Sequence, residues 1–355
     1  MYIGVQFSVM RSLLLFIFLP FIGFSQIGGR YAYNFLKLPV TARAASSGGT
    51  SMALWGDDIG LVYSNPAALN KSMHKNVIFN YNNYVSSINL LYAGYAHDFG
   101  ANGTGMVSLS SFNYGTFKGY DQNGNSLGDF KASDLSINLN YARTFADTCF
   151  QVGGVLKTFF SQYETYRASG NALDFGIMYH NKKHLSVSLL TQNLGIIWRD
   201  YGVGSSILPV NVQLGISKKV EKAPFRLYLV YDNLLKWNVS YISPVDTTGT
   251  TSSFGTTNVA DSSGFQMFSA RFSSRAGNFM RHLVVGTDIL LSRNFHIRLG
   301  YNFRRQYEMN IPQRRGVNGL SVGIHMNVKR FTFDYTFAKV AFAGNSSTLG
   351  MVLRF

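Results

Sequence analysis

From Asn76 onward, apolar and polar residues alternate with a period of two, the periodicity of a pleated strand rather than a helix. Leu320, Val322, Ile324, Met326 and Val328 interleave with Ser321, Gly323, His325, Asn327 and Lys329. Phe295, Ile297, Leu299, Tyr301 and Phe303 alternate with His296, Arg298, Gly300, Asn302 and Arg304, and Leu135, Ile137, Leu139 and Tyr141 with Asp134, Ser136, Asn138 and Asn140. Val212, Leu214 and Ile216 alternate in the same way with Asn211 and Gln213. On a strand each set shares one face, so one face suits lipid and the other water. The pattern predicts strands over 76–85, 88–98, 103–119, 128–145, 149–164, 171–180, 184–194, 208–219, 223–234, 281–291, 294–305, 318–329, 331–340 and 346–355.

Alternation also fits a soluble sandwich, and the connections separate the two. Asn181-Lys182-Lys183 and Ser292-Arg293 are tight, whereas 120–127, 195–207, 235–280 and 306–317 are long. Tight turns with long loops are the habit of outer-membrane barrels, although along this list the two kinds do not strictly alternate. An even strand count lets the sheet close with no free edge, which lipid demands because unpaired backbone finds no water there. The expected class is therefore all-β: a transmembrane antiparallel β-barrel of 14 strands with an N-terminal plug or hatch segment. Met351, Leu353 and Phe355 share one face of the last strand and resemble the terminal signal for outer-membrane insertion.

Before Asn76 there is no alternation. Pro39, the small-residue run Thr41–Ser51 and Ser64-Asn65-Pro66-Ala67-Ala68 predict short helical turns broken by Gly and Pro. Such a segment can lie close against an inner wall, and is expected to plug the lumen or close its periplasmic mouth. Further upstream, Arg11, the apolar Leu13–Leu19 and Gly23-Phe24-Ser25 read as a signal peptide, with Gln26 the first mature residue and Met10 a second candidate start. The expected organisation is 1–25 signal peptide, 26–75 plug and 76–355 barrel, exported to a bacterial outer membrane with the long loops outside.

Composition agrees with this picture. Hydrophobic residues make up 46% and charged residues 14%, well below the roughly 25% of soluble proteins, yet mean hydropathy is only +0.03. Apolar residues are thus plentiful and not clustered, and no run reaches the ~20 residues of a spanning helix. The formal charge of +15 raises nucleic acid as a partner, but the cations form no basic helix. Outer-membrane lipid, including the anionic lipopolysaccharide of the outer leaflet, is the better-matched polyanion. A basic chain with no specific partner stands beside it. One cysteine, Cys149, excludes a disulfide framework or a multi-thiolate metal site.

Enzyme-like motifs lack their required context. Gly319-Leu320-Ser321-Val322-Gly323 matches a serine-hydrolase pattern, but that chemistry needs a strand-to-helix elbow. Here the serine lies inside the clearest alternating strand. His180 and His184 have helical metal-ligand spacing but flank a predicted hairpin turn, and the other histidines are read as isolated lumen or interface residues. Asp57-Asp58 has no acid–base complement nearby in sequence and is read as a cap or lumen ion pair. No catalytic residue, cofactor or metal is expected.

The segment 28–70 carries a family resemblance. Arg43-Ala44-Ala45-Ser46-Ser47-Gly48-Gly49, then Asp57-Asp58-Ile59-Gly60, then the hatch motif Asn65-Pro66-Ala67, resembles the opening of FadL-type barrels. Gly28-Gly29-Arg30-Tyr31-Ala32-Tyr33-Asn34-Phe35-Leu36 with Leu38-Pro39 resembles, within that superfamily, the PorQ family of the type IX secretion system. Ala45-Ser46-Ser47 departs from it, standing where a larger apolar residue is expected before the paired glycines. The resemblance implies a non-enzymatic outer-membrane subunit that holds a PorZ-like surface protein beside PorU-like and PorV-like components, in a complex joining cargo to anionic lipopolysaccharide. The connection 235–280, with Trp237, Tyr241, Phe254 and Phe265, is the candidate docking loop, because long loops in compact folds are commonly functional. The superfamily's other activity, transport of hydrophobic small molecules, is the alternative. A diffusion porin is a third reading, which a plugged lumen would oppose.

Overall fold

The alternating segments close on one another into a single antiparallel barrel of 14 strands. The structure, a computed structural model, describes residues 31–86, 88–145, 149–202, 206–239, 276–309, 317–341 and 344–355. The signal-peptide segment, Gln26, Gly28–Arg30, Tyr241, Phe254 and Phe265 lie outside them. The strands are β1 (Asn76–Asn83), β2 (Asn89–Asp98), β3 (Thr104–Tyr120), β4 (Ser126–Phe145), β5 (Phe150–Tyr163), β6 (Tyr166–His180) and β7 (Leu185–Arg199). They continue as β8 (Asn211–Lys219), β9 (Phe225–Tyr231), β10 (Leu283–Leu290), β11 (Phe295–Asn302), β12 (Leu320–Val328), β13 (Phe331–Ala341) and β14 (Gly344–Arg354). Each strand pairs with its neighbours in sequence, and β1 pairs with β14 from Asn76↔Arg354 to Asn83↔Ser347, which removes the edge.

The alternation resolves as expected. Leu320, Val322, Ile324, Met326 and Val328 are exposed on the outer wall, while Ser321, His325, Arg298, Asn138 and Gln213 are buried inside. The exterior is greasy, and the inner face mixes these polar side chains with buried Phe112, Phe159, Met178 and Leu190.

All four long connections leave the same end of the barrel, opposite the end that carries Asn76 and Arg354. Short links such as Glu164-Thr165 also occur at that far end, which is why the lengths do not alternate along the sequence. Three expected boundaries need correction. β6 begins at Tyr166 rather than 171, because the small polar run Ala168–Asn171 reads as a turn yet pairs fully with β5. β7 continues to Arg199 through a register shift opposite Asp174, where Asn193 has a left-handed φ of 58° and breaks the alternation. The connection expected over 306–317 starts instead with a helix, Phe303–Glu308, where the Asn302 side chain accepts from Arg305 N–H.

The wall is uneven in height. β3–β7 have 14 to 20 residues, whereas the remaining strands have 7 to 11. A tilted spanning strand needs about 9–11 residues, so β3–β7 rise past the belt at the far end.

Residues 31–75 thread this lumen, from Tyr33 beside the far-end loop at Asp200 to Lys75 beside Ala96 near the terminus end. Their turns are set locally. Thr41 caps the helix Ala42–Ser46, Asp58 caps Ile59–Leu61, Asn65 caps Pro66–Ala68 and Asn70 caps Lys71–Met73. Each side chain accepts a backbone N–H that a short helix leaves unpaired. The proline occupies the first position, where it sacrifices no hydrogen bond.

Candidate functional site: the plug–wall interface

The plug meets one side of the wall through charge. Arg43 Nη2 lies 2.7 Å from Asp288 Oδ2 on β10, and Arg298 on β11 bridges Asp58 of the plug at 3.0 Å and Asp334 on β13 at 2.8 Å. Arg226 approaches Asp288 at 3.7 Å, and Arg43 Nε approaches Asp58 at 3.9 Å. Three guanidinium groups thus face three carboxylates. Burial would raise the Asp58 carboxyl, but the Arg298 and Arg43 charges outweigh it and hold it at about 2.

This cluster corrects the expectation that the lumen histidines stand alone. His325 Nδ1 is 2.7 Å from Asp334 Oδ1, and its ring stacks on His296 across the strand pair, centroids 5.1 Å apart. Asp58 therefore does have an imidazole close by. Ligand atoms of Asp58, His325 and Asp334 lie within 4.8 Å of one another, a separation that suits a metal. The Arg298 guanidinium already bridges the two carboxylates, and the surrounding charges balance without a further cation. The arrangement is an electrostatic clamp.

Elsewhere the plug backbone sits directly on wall glycines. A Cβ on Gly153 of β5 would lie 2.5 Å from the Pro66 carbonyl carbon, and one on Gly300 of β11 would lie 2.6 Å from Ser46 O. Across the same seat Ser46 Cβ would be 2.6 Å from a Cβ on Gly323. A large residue at Ser46 has no room. The serine of the hydrolase-like motif belongs here too: Ser321 Oγ accepts from Gly48 N–H at 3.0 Å and donates toward Ser46 O at 3.0 Å. In the hatch motif, Asn65 Nδ2 donates to Met52 O at 3.0 Å while its Oδ1 accepts from Ala67 N–H at 3.0 Å, and Ala67 faces Gly176 of β6.

The opposite wall holds the plug through rings. Phe35 meets Phe112 of β3 at 5.1 Å, and Tyr33 lies 4.9 Å from Phe159 of β5 and 5.6 Å from Tyr201. Tyr33 OH donates to Asp200 Oδ1 at 2.9 Å. Burial opposes ionisation of Asp200, but N–H and hydroxyl donors from Ser206, Tyr201 and Tyr33 keep its carboxyl below the ordinary value. Deeper in, buried Asp134 accepts from Tyr114 OH at 2.5 Å, Tyr163 OH at 3.1 Å and Ser161. The space left between Leu36, Tyr63, Phe112, Asn138 and Lys157 is about 10 Å³, the room of roughly one water. A larger concavity, about 690 Å³, lies on the outer wall between Phe79, Tyr81, Leu91, Met326 and Tyr335. The strands behind it are fully paired, so it is a dent and not a portal.

The other sequence-predicted residues are dispersed. Asp57 is exposed 3.6 Å from Arg354, while Met351 and Phe355 are exposed and Leu353 half-buried at the terminus end of β14. The Trp237 side chain is exposed, with its ring 6.1 Å from His282 and its carbonyl 3.0 Å from His282 Nε2. Its intended companions Tyr241, Phe254 and Phe265 are outside the described residues. Sequence reasoning missed Asp288 and Asp334 as the partners of Arg43 and Arg298. Both acids occupy the polar phase of their strands, and a charge there was the available signal.

No family model matches the chain, and no curated protein matches its sequence. Solved structures do match. The P. putida toluene transporter TodX superposes with a TM-score of 0.52 at 10% identity, over 90% of this chain and 99% of that one. A second structure of the Pseudomonas putida toluene transporter TodX gives 0.50 at 10% identity, over 89% and 97%. This chain has the toluene-transporter barrel fold. A Pseudomonas aeruginosa FadL homologue aligns over 88% of this chain and 96% of its own, with 8% identity and a TM-score of 0.47.

Proposed function

We propose that this chain is a non-enzymatic, non-conducting outer-membrane barrel that anchors a surface partner in type IX protein secretion. The observation that carries the first half is the filled lumen. Residues 31–75 are clamped by buried ion pairs on one side and interlocked rings on the other, and the gap beside Leu36, Tyr63 and Phe112 has room for roughly one water. The second half rests on the resemblance of residues 28–70, which implies a PorZ-like partner beside PorU-like and PorV-like components and, through them, lipopolysaccharide. Barrel orientation follows from the general rule that short turns face the periplasm and long loops the exterior. The terminus end is thus periplasmic, and the 232–282 connection is extracellular.

Two measurements test this. Purified protein in liposomes should exclude small sugars in a swelling assay, and outer-membrane extraction in mild detergent should retain a surface protein. Deleting 240–275 should release that protein while heat-modifiable gel mobility still reports a folded barrel. An intact complex after the deletion would refute the docking role.

Transport of hydrophobic small molecules is the second reading, and the comparisons speak for it rather than for secretion, since TodX is a toluene transporter. One feature of the wall also favours it. β7–β8 pairing ends at Gln192↔Asn211, so upper β7 has no β8 partner beside the aromatic cluster, and the bulge below it holds a buried Lys157–Asp174 pair at 2.6 Å. On this reading Tyr33 and Phe35 must leave their seats to admit a ligand. Toluene uptake by proteoliposomes that disappears when Tyr33 is cross-linked to β5 would establish it over the anchor.

A further inference from the structure

We infer that the periplasmic rim of the barrel is a binding belt for the phosphate headgroups of anionic phospholipids in the inner leaflet. The cations that look scattered in sequence are gathered here by the topology. Lys182, Lys183, Lys218, Lys222, Lys329 and Arg330 are all exposed in or beside the tight turns of this end. Lys71, Lys75, Arg143 and Arg293 continue the series, so every sector of the rim except that of the β2–β3 turn carries at least one. The acids described at this end are Asp57, Asp98 and Glu221, three against the ten cations named, so the rim keeps a net positive charge. Asp57 faces Arg354, and Asp98 accepts from Thr104 and the Gly100 N–H. None of the ten cations takes part in an ion pair among the described residues.

A second, independent observation sets their depth. Immediately inside the same turns, Phe99, Phe145, Phe150, Phe225 and Phe331 are exposed on the outer wall. Aromatic girdles of this kind mark the boundary between hydrocarbon and headgroups. Lys222, Lys329 and Arg330 lie one to three residues beyond Phe225 and Phe331, at phosphate level, while Arg143 and Lys218 start two residues on the membrane side of Phe145 and Phe225, from where their long side chains extend outward to the same level. Their spread around the circumference fits a lipid annulus, whereas a protein partner would select one side. Tight turns also hold the charges against the membrane surface and give them no reach toward a distant polymer. The inference depends on the membrane orientation, and it holds whether the barrel anchors a partner or transports a ligand.

The test uses the full-length protein in vesicles of equimolar phosphatidylglycerol and phosphatidylcholine, with the lipids that remain after mild detergent extraction measured by native mass spectrometry. Phosphatidylglycerol should be retained several-fold over phosphatidylcholine, and high salt should abolish the preference. The combined Lys182→Gln, Lys183→Gln, Lys218→Gln and Lys222→Gln variant should fall toward parity. Lys118→Gln with Lys131→Gln, at the far end, should keep the wild-type ratio. If the quadruple variant does not fold, Lys182→Gln with Lys183→Gln should give a partial loss. Parity in the wild type, equal loss in the far-end control, or retention of peptidoglycan sacculi without phosphatidylglycerol would each overturn the inference.

Discussion

The plug is held by two unlike walls, and their difference shows how one segment can be both fixed and precisely seated. On the β9–β13 side, contact is made by buried charges whose partners are few and directional. On the β3–β7 side, contact is made by Tyr33 and Phe35 among Phe112, Phe159 and Tyr201. Losing one member of a charge pair strands the other in a site where water cannot compensate, so the first wall fails abruptly. Ring packing tolerates adjustment, so the second wall yields by degrees. The charged wall therefore specifies register, and the aromatic wall adds adhesion.

The largest expected effect comes from Arg298→Ala. It leaves Asp58 and Asp334 without their shared cation and should cost roughly 3–5 kcal/mol of plug docking. Hydrogen exchange should report it as lost protection at the capped N–H of Gly60, while the β1–β14 ladder keeps its own. Protection unchanged at Gly60 would mean that the clamp is not what holds the plug.

Gly300→Val comes next. Its Cβ would collide with the Ser46 carbonyl, and overpacking of this kind costs about 1–3 kcal/mol. The outer wall is untouched, so the variant should fold and insert but show channel openings in a planar bilayer. A silent bilayer would place the plug's hold elsewhere.

Acid should act chiefly on the charged wall, because protonating Asp200 weakens one hydrogen bond at the Tyr33 end but leaves the ring contacts in place. The Asp58 carboxyl is depressed in the folded state, so its contribution is full above an unfolded value near 4 and is lost as pH falls through about 2. Plug protection should hold at pH 5 and weaken between pH 4 and 2, with the Tyr33 end retained longest. Loss already at pH 6 would implicate a different group.

The smallest effect is expected from Tyr33→Phe. It removes one hydroxyl donor to Asp200 while keeping both ring contacts, and should cost about 1 kcal/mol. Conductance should stay closed, and only the exchange of the far-end plug residues should quicken.

Much of the barrel was legible in the residues. The period of two, the even strand number and the lipid-facing identity of Leu320, Ile324 and Met326 follow from the pleat, which places successive side chains on opposite faces whatever the rest of the chain does. Capping was equally local, since Asp58, Asn65 and Asn70 each act within two residues of their own position. The β6 start and the β7 end were not legible, because small polar residues and the Asn193 bulge imitate turns until a neighbouring strand pairs with them.

The amino-acid order alone thus determined that the chain alternates, closes and exposes apolar side chains to lipid, and that residues before Asn76 form capped turns. Only the tertiary structure decided that Arg43 meets Asp288, 245 positions further along the chain, that Ser321 docks the plug, and that the rim cations share one end. Periodicity and capping are set by neighbours in sequence. Pair identity depends on strand tilt and register summed around the whole cylinder, which no short stretch encodes.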